Sequence, residues 1–167
     1  AACKVFADLG CHVEPASLGI SIPELWETWV THRHFISGGR IQPHYDNPSE
    51  HALLKPEARW EVEEGRKIDS ITLFRASKAR TVWYHQCRAL FERYDALMTP
   101  SAQLFPFDIT LDWPKAINGV AMDSYLRWMQ IVTPFTLAGV PALGMPVGFS
   151  DKGLPMGMQL IGAPFDE

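Results

Sequence analysis

Two short apolar runs near the C-terminus, residues 141–149 (PALGMPVGF) and 156–162 (MGMQLIG), flank the turn Ser150-Asp-Lys-Gly153 and constrain the fold more than any other stretch. They read as two short strands around that turn. A third short apolar strand is expected at Asp95-Ala-Leu-Met-Thr99-Pro100, ended by its proline. Helical patterns separate the strands. Ser21 followed by Pro23 and Glu24 is a good helix start, with Leu25, Trp26, Trp29, Val30 and Phe35 as the buried face and Gly38-Gly39 as the expected stop. Residues 40–56, with Pro43, Asp46-Asn-Pro48 and Pro56, read as a surface loop. A short helix from Glu57 to Glu64 stops at Gly65. The longest helical pattern begins at Asp69 or Ser70 and runs to about Tyr94, with Ile71, Phe74, Val82, Trp83, Ala89 and Leu90 at roughly three-to-four spacing. Residues 101–120 look irregular, and a last helix from Met122 to Ile131 is broken by Pro134.

At the N-terminus, Val5, Phe6 and Leu9 form an apolar stripe at helical spacing that Gly10 can cap, and residues 11–18 read as a short strand running into a loop. This is half of an αβ unit, whose preceding strand is expected upstream of Ala1. Helices alternating with short apolar strands predict an α/β fold with part of the sheet buried on both faces. Nothing marks a boundary, so residues 1–167 are expected to form a single domain fragment.

Composition narrows the function classes. The chain has 167 residues, 47% of them hydrophobic and 20% charged, which is globular rather than disordered. Net charge is -4 and no Lys/Arg block stands out, so no nucleic-acid surface is expected. No apolar stretch approaches about 18 residues, so no membrane partner is expected either. The start, with Lys4 and Asp8, lacks a signal-peptide pattern. Three widely spaced cysteines (Cys3, Cys11, Cys87) do not make a disulfide framework and suit a reducing cytoplasm.

The residues alone offer no complete active site. His32-x-His34, with His44, Asp46 and His51 nearby, would suit a metal if it lay on a strand. The segment reads as a helix, where i and i+2 point about 200° apart, so no metal is expected. Cys87 follows His85 by two residues inside the long helix and reads as a small buried residue. Ser77 and Lys78 are adjacent on that helix and do not face each other. Asp46, Glu57, Glu61, Glu63 and Glu64 read as a charged helix face. No G-x-S-x-G elbow occurs.

The ordered pieces 94–101 (YDALMTPS), 125–128 (YLRW), 133–149 (TPFTLAGVPALGMPVGF) and 152–162 (KGLPMGMQLIG), with 52–65 (ALLKPEARWEVEEG) upstream, resemble the C-terminal part of the amidase signature family. The resemblance covers nearly the whole chain. It implies the C-terminal part of the amidase signature fold, an α/β arrangement with a mixed β-sheet flanked by helices. It also implies amide C–N hydrolysis without a cofactor. In that family a Lys acts through a bridging Ser, held by a cis peptide, on a nucleophilic Ser in a Gly/Ser-rich segment, and backbone N–H groups hold the oxyanion. Water, or in some members ammonia, resolves the acyl-enzyme. No such segment lies in this chain, so no catalytic residue is assigned, the serines are expected upstream of Ala1, and the chain alone is expected to be inactive. A terminal helix is expected to follow the Pro164–Glu167 segment.

The resemblance places the loop Ser101 to Phe105 and the helix carrying Trp128, Met129 and Val132 near a bound substrate. Ser101, Trp128, Met129 and Val132 are therefore the substrate-binding candidates, with core packing as the alternative role for Trp128 and Met129. As pocket residues they favour an apolar or aromatic acyl group over a charged one. Gly139, Gly144 and Gly157 are read as fold-building, Pro141 and Pro146 as marks of an edge or bulge, and Gln159 as a side chain needing a partner. Two departures stand out. Thr136 replaces the usual Asn. Met129 occupies the place where transfer-RNA-dependent amidotransferases carry a glutamine-recognising acid, which disfavours that activity. The remaining alternatives are a pseudo-amidase binding module and a fragment of an amidotransferase A-type subunit. Expected partners are a small-molecule amide and the remainder of the amidase domain, and a homo-oligomer is left open.

Overall fold

A computed structural model describes residues 2–165 of the chain; Ala1, Asp166 and Glu167, the ends of the expected domain, lie outside the described residues. The elements in order are α1 (Ala2–Asp8), α2 (Ile22–Asp46), α3 (Pro48–His51), α4 (Pro56–Gly65), α5 (Ser70–Leu90), β1 (Leu97–Pro100), β2 (Ala116–Ile117), β3 (Val120–Ala121), a 3-10 helix (Arg127–Val132), α6 (Thr133–Ala138), β4 (Ala142–Phe149) and β5 (Pro155–Ile161). They fall into two compact units: Ile20–His85, and Ala1–Gly19 with Gln86–Glu167.

The first unit is helical. Ser21 caps α2 as its sequence demands: the residue is extended (φ -75, ψ 139) and its hydroxyl accepts the Glu24 N–H at 3.3 Å. The helix does not stop at Gly38-Gly39 but continues to Asp46 with Pro43 inside it. Packing explains the difference. A Cβ on Gly38 would lie 2.7 Å from the Glu61 carbonyl oxygen, and one on Gly65 would lie 2.6 Å from the His34 carbonyl oxygen. The glycines are contact points between α2 and α4, and close packing outweighs a propensity loss of about 1 kcal/mol per glycine. Much of the expected loop is therefore helical, and Asn47 caps α3 by accepting the Ser49 N–H at 3.1 Å. Leu25 and Trp26 are buried as expected, but Phe35 is 49% exposed and Thr28 and His34 are buried in its place. Helix α5 starts at Ser70, just after Asp69, whose carboxylate accepts the Thr72 N–H at 2.6 Å, and ends at Leu90 rather than near Tyr94. On it Trp83 is fully buried, whereas Ile71, Phe74 and Val82 of the expected apolar stripe stay exposed.

The second unit holds a three-stranded sheet in the order β1-β5-β4, both pairings antiparallel. The central strand β5 carries the buried Met158 and Ile161, and Leu97 of β1 packs into the same core with Leu126, Phe135 and Leu137. Gln159 pairs in register with Thr99, whose hydroxyl lies 3.5 Å from the Gln159 amide oxygen. Edge strand β4 shifts register between Pro146 and Gly148, so the missing proline N–H falls at an irregularity of an edge. Leu143 and Phe149 on β4 are exposed, so burial on both faces does not extend to this strand among the described residues. The turn is held by the Ser150 hydroxyl, which accepts the N–H groups of Lys152 and Leu154 at 3.3 and 3.1 Å.

Three expectations change here. Residues 11–18 form no strand and belong to neither of the two sheets. Residues 116–121 form a small hairpin, β2 paired with β3, inside the stretch expected to be irregular. The expected helix 122–131 shrinks to the 3-10 helix, and Pro134 starts α6 instead of breaking a helix, since a fixed φ and absent N–H suit the first turn. No helix among the described residues is long and apolar enough to cross a membrane.

Candidate functional site

The loop that leaves β1 builds one wall of a cavity. Ser101 extends the pairing of β1 by one bond, its N–H donating to the Gly157 carbonyl at 3.2 Å. Two residues on, the Gln103 side-chain amide donates to the Arg127 carbonyl at 3.2 Å and ties the loop to the 3-10 helix. Arg127 in turn grips Asp123, with Nη2 at 2.6 Å from Oδ2 and Nε at 3.2 Å from both carboxylate oxygens. That guanidinium holds the Asp123 carboxyl below the usual carboxylate range. The clamp seats Trp128, which meets Phe107 edge-on, ring centroids 5.5 Å apart at 86°.

Between this wall and strands β4 and β5 lies a cavity of about 510 Å³, bounded by Ser101, Leu104, Phe105, Phe107, Trp128, Met145, Pro146, Met156 and Gly157 among others. No charged side chain among the described residues lines it. The protic side-chain groups on its lining are the Ser101 hydroxyl and the Trp128 indole N–H, and neither makes a hydrogen bond among the described residues. The structure thus brings Ser101 and Trp128 together with the loop to Phe105. Met129 and Val132 sit on the same 3-10 helix, half-buried, outside the lining. Sequence reasoning missed Phe107, Met145, Met156 and Gly157 as lining residues. Strands β4 and β5 are recognisable from their residues, but the register and bulge that turn particular side chains to one side are tertiary facts. At Gly157 a Cβ would lie 2.6 Å from the Ser101 hydroxyl oxygen and 3.1 Å from the Met145 carbonyl. Thr136, at the position of the usual Asn, donates to the carbonyl of Val132, the last residue of the preceding 3-10 helix, at 3.1 Å.

The other candidates resolve into structural roles. Glu61, expected on a charged helix face, is 1% exposed. Its carboxylate meets Arg33 Nε at 2.9 Å and His34 Nδ1 at 2.7 Å, the geometry in which both nitrogens donate. His34 also stands edge-on to Trp60, centroids 4.7 Å apart. His32 bonds the Thr28 carbonyl of its own helix at 2.9 Å instead of joining His34. No group of three or more His, Cys, Asp or Glu side chains among the described residues could hold a metal. Cys87 is fully buried, and burial pushes its thiol up to about 11, so it stays protonated and unreactive near neutral pH. Ser77 donates to the Leu73 carbonyl one turn back.

Comparison with known proteins identifies the family and the fold. The Amidase family model matches residues 30–167. The A-type subunit of the glutamyl-tRNA(Gln) amidotransferase of Thermodesulfovibrio yellowstonii is 40% identical over 97 residues, a match to 56% of this chain and 18% of that relative. Among solved structures, a bacterial aryl acylamidase of the amidase signature family superposes with a TM-score of 0.81 at 24% identity, over 96% of this chain and 35% of its own. The corresponding glutamyl-tRNA(Gln) amidotransferase chain of Thermotoga maritima superposes with a TM-score of 0.61 at 27% identity, over 98% of this chain and 34% of its own. The chain therefore spans about a third of the length of these solved neighbours.

Proposed function

The chain belongs to the amidase family, and from that premise we propose that it forms part of a serine-dependent amidase hydrolysing the carbon–nitrogen bond of a small-molecule amide. Its share is sheet, core and one wall of the substrate pocket. The Lys and paired Ser residues come from the remainder of the amidase domain, so this stretch by itself has no turnover. The observation that carries the reading is the uncharged cavity bounded by Ser101 and Trp128 in a chain of this family. Such a wall can desolvate an apolar or aromatic acyl group while leaving the scissile carbonyl to the catalytic residues. In the same reading Met129 and Val132 support the wall through the 3-10 helix. The exposed Leu143 and Phe149 of edge strand β4 are covered by the remainder of the domain. The protein works in the cytoplasm, without a cofactor, nucleic acid or membrane.

The test is release of ammonia or amine from neutral amides by the full-length protein, with a serine-directed fluorophosphonate as label. Turnover that the label abolishes supports the reading. Full-length protein that binds amides without turning them over is instead a pseudo-amidase module. A second reading, part of a tRNA-dependent amidotransferase, draws on the 40% identity to the Thermodesulfovibrio relative. It requires recognition of the glutamine ammonium, and a thioether at Met129 supplies no charge for that. Glutaminase activity stimulated by misacylated tRNA would favour it over the small-amide reading.

A further inference from the structure

We propose that the cavity selects an uncharged aromatic group bearing one hydrogen-bond acceptor, and that Gly157 is the positioning residue that keeps the Ser101 hydroxyl available to that acceptor. This rests on the cavity being the substrate pocket. Three features of the lining argue for it. Phe105, Phe107 and Trp128 present aromatic faces and edges, and Met145 and Met156 add polarisable sulfur, so a planar ring finds more contact than an aliphatic chain of equal size. A charged group would find no counter-charge on this wall, because no charged side chain among the described residues reaches the lining, and the hydration it loses against the wall would go uncompensated there. The two protic groups both offer hydrogens: the indole N–H can only donate, and the serine hydroxyl can donate once rotated. A ligand oxygen acceptor matches them, whereas a purely hydrocarbon ligand leaves them bare.

Gly157 enters through space. Its backbone carbonyl fixes the Ser101 N–H at 3.2 Å, and its missing Cβ leaves the volume that the Ser101 hydroxyl borders. A methyl group there would stand 2.6 Å from that oxygen and force the hydroxyl to rotate off its present position. Glycine at 157 thus acts on the ligand through Ser101, beyond its part in packing the strands.

The experiment is calorimetric titration of the full-length protein with three probes that carry no amide: acetophenone (ring plus acceptor), toluene (ring alone) and benzoate (ring plus charge). Acetophenone is expected to bind about tenfold tighter than toluene or benzoate, one added hydrogen bond's worth. Ser101→Ala and Gly157→Ala should each weaken acetophenone about fivefold and leave toluene unchanged. Gly157→Ala added to Ser101→Ala should weaken it little further, since the group it displaces is already gone. Benzoate binding as tightly as acetophenone overturns the proposal. So does a Gly157→Ala variant that weakens toluene as much as acetophenone, the signature of general misfolding, or one that leaves acetophenone unaffected. None of the probes can be hydrolysed as an amide. The expected pattern in a protein without amidase turnover would sink the proposed activity and leave this inference standing; turnover without the pattern would do the reverse.

Discussion

The α2–α4 crossing and the cavity beside β5 use the same device, a glycine where a Cβ would collide, to opposite ends. At the crossing, Gly38 and Gly65 bring two helices together until Glu61 is 1% exposed, and its carboxylate is answered within the protein by Arg33 and His34. At the cavity, Gly157 opens space beside Ser101, and the protic groups there meet no protein acceptor among the described residues. Polar groups satisfied internally fix a fold. Polar groups left facing an apolar hollow are available to a ligand. The contrast predicts that the crossing is sensitive in stability and the cavity in binding.

The largest stability effect should come from the crossing. Glu61→Ala leaves the nearly buried His34 facing a void with its donor unmet, while the half-exposed Arg33 can turn to solvent. The loss should be about 3 kcal/mol by urea unfolding of the native protein. A loss below about 1 kcal/mol would mean that the crossing is held by apolar packing alone and would break the contrast. Gly38→Ala should follow at about 2 kcal/mol, because the opposing atom is a backbone oxygen 2.7 Å away that cannot rotate aside.

These same residues show what could be read in the sequence and what could not. The Ser21 cap, the α5 start, the strands β1, β4 and β5, and the proline at the β4 irregularity follow from local chemistry, and local chemistry is written in neighbouring residues. The amidase family itself was legible from the ordered motifs. Gly38-Gly39 misled because a glycine pair has the same local meaning whether it ends a helix or admits a partner, and only the position of α4 decides. Glu61 misled for the same reason: its burial depends on Arg33 and His34, twenty-eight and twenty-seven residues away. At the candidate site, the family motifs pointed to Ser101 and Trp128, and both border the cavity. Met145, Met156 and Gly157 depended on the register of β4 against β5, which strand propensities leave undetermined.

A smaller effect sharpens the cavity side of the comparison through pH. The Asp123 carboxyl is held down chiefly by its hydrogen bonds from Arg127, so its folded pKa lies below its unfolded one. Such a group contributes stability above the unfolded pKa, near 4, and loses it as pH falls through the folded value. Arg127→Met should therefore destabilise by under about 1 kcal/mol at pH 7, the Asp123 carboxylate being 60% exposed and screened by solvent. From this pair's titration the gap between variant and parent should close as pH falls below about 4. A gap independent of pH would assign the effect to the packing of the arginine stem beside Trp128 and not to the ion pair.

The smallest effect is the most discriminating. Ser101→Ala removes a hydroxyl that gives up no protein hydrogen bond and keeps the N–H that pairs with Gly157. Its unfolding free energy should stay within about 0.5 kcal/mol of the parent. A measured loss near 2 kcal/mol would mean that the hydroxyl is satisfied inside the protein, as Glu61 is. The cavity wall would then belong with the helix crossing as structure. A null change, set beside the large loss at Glu61→Ala, separates the two regions by where their polar groups find partners: one inside the chain, the other in whatever enters the hollow.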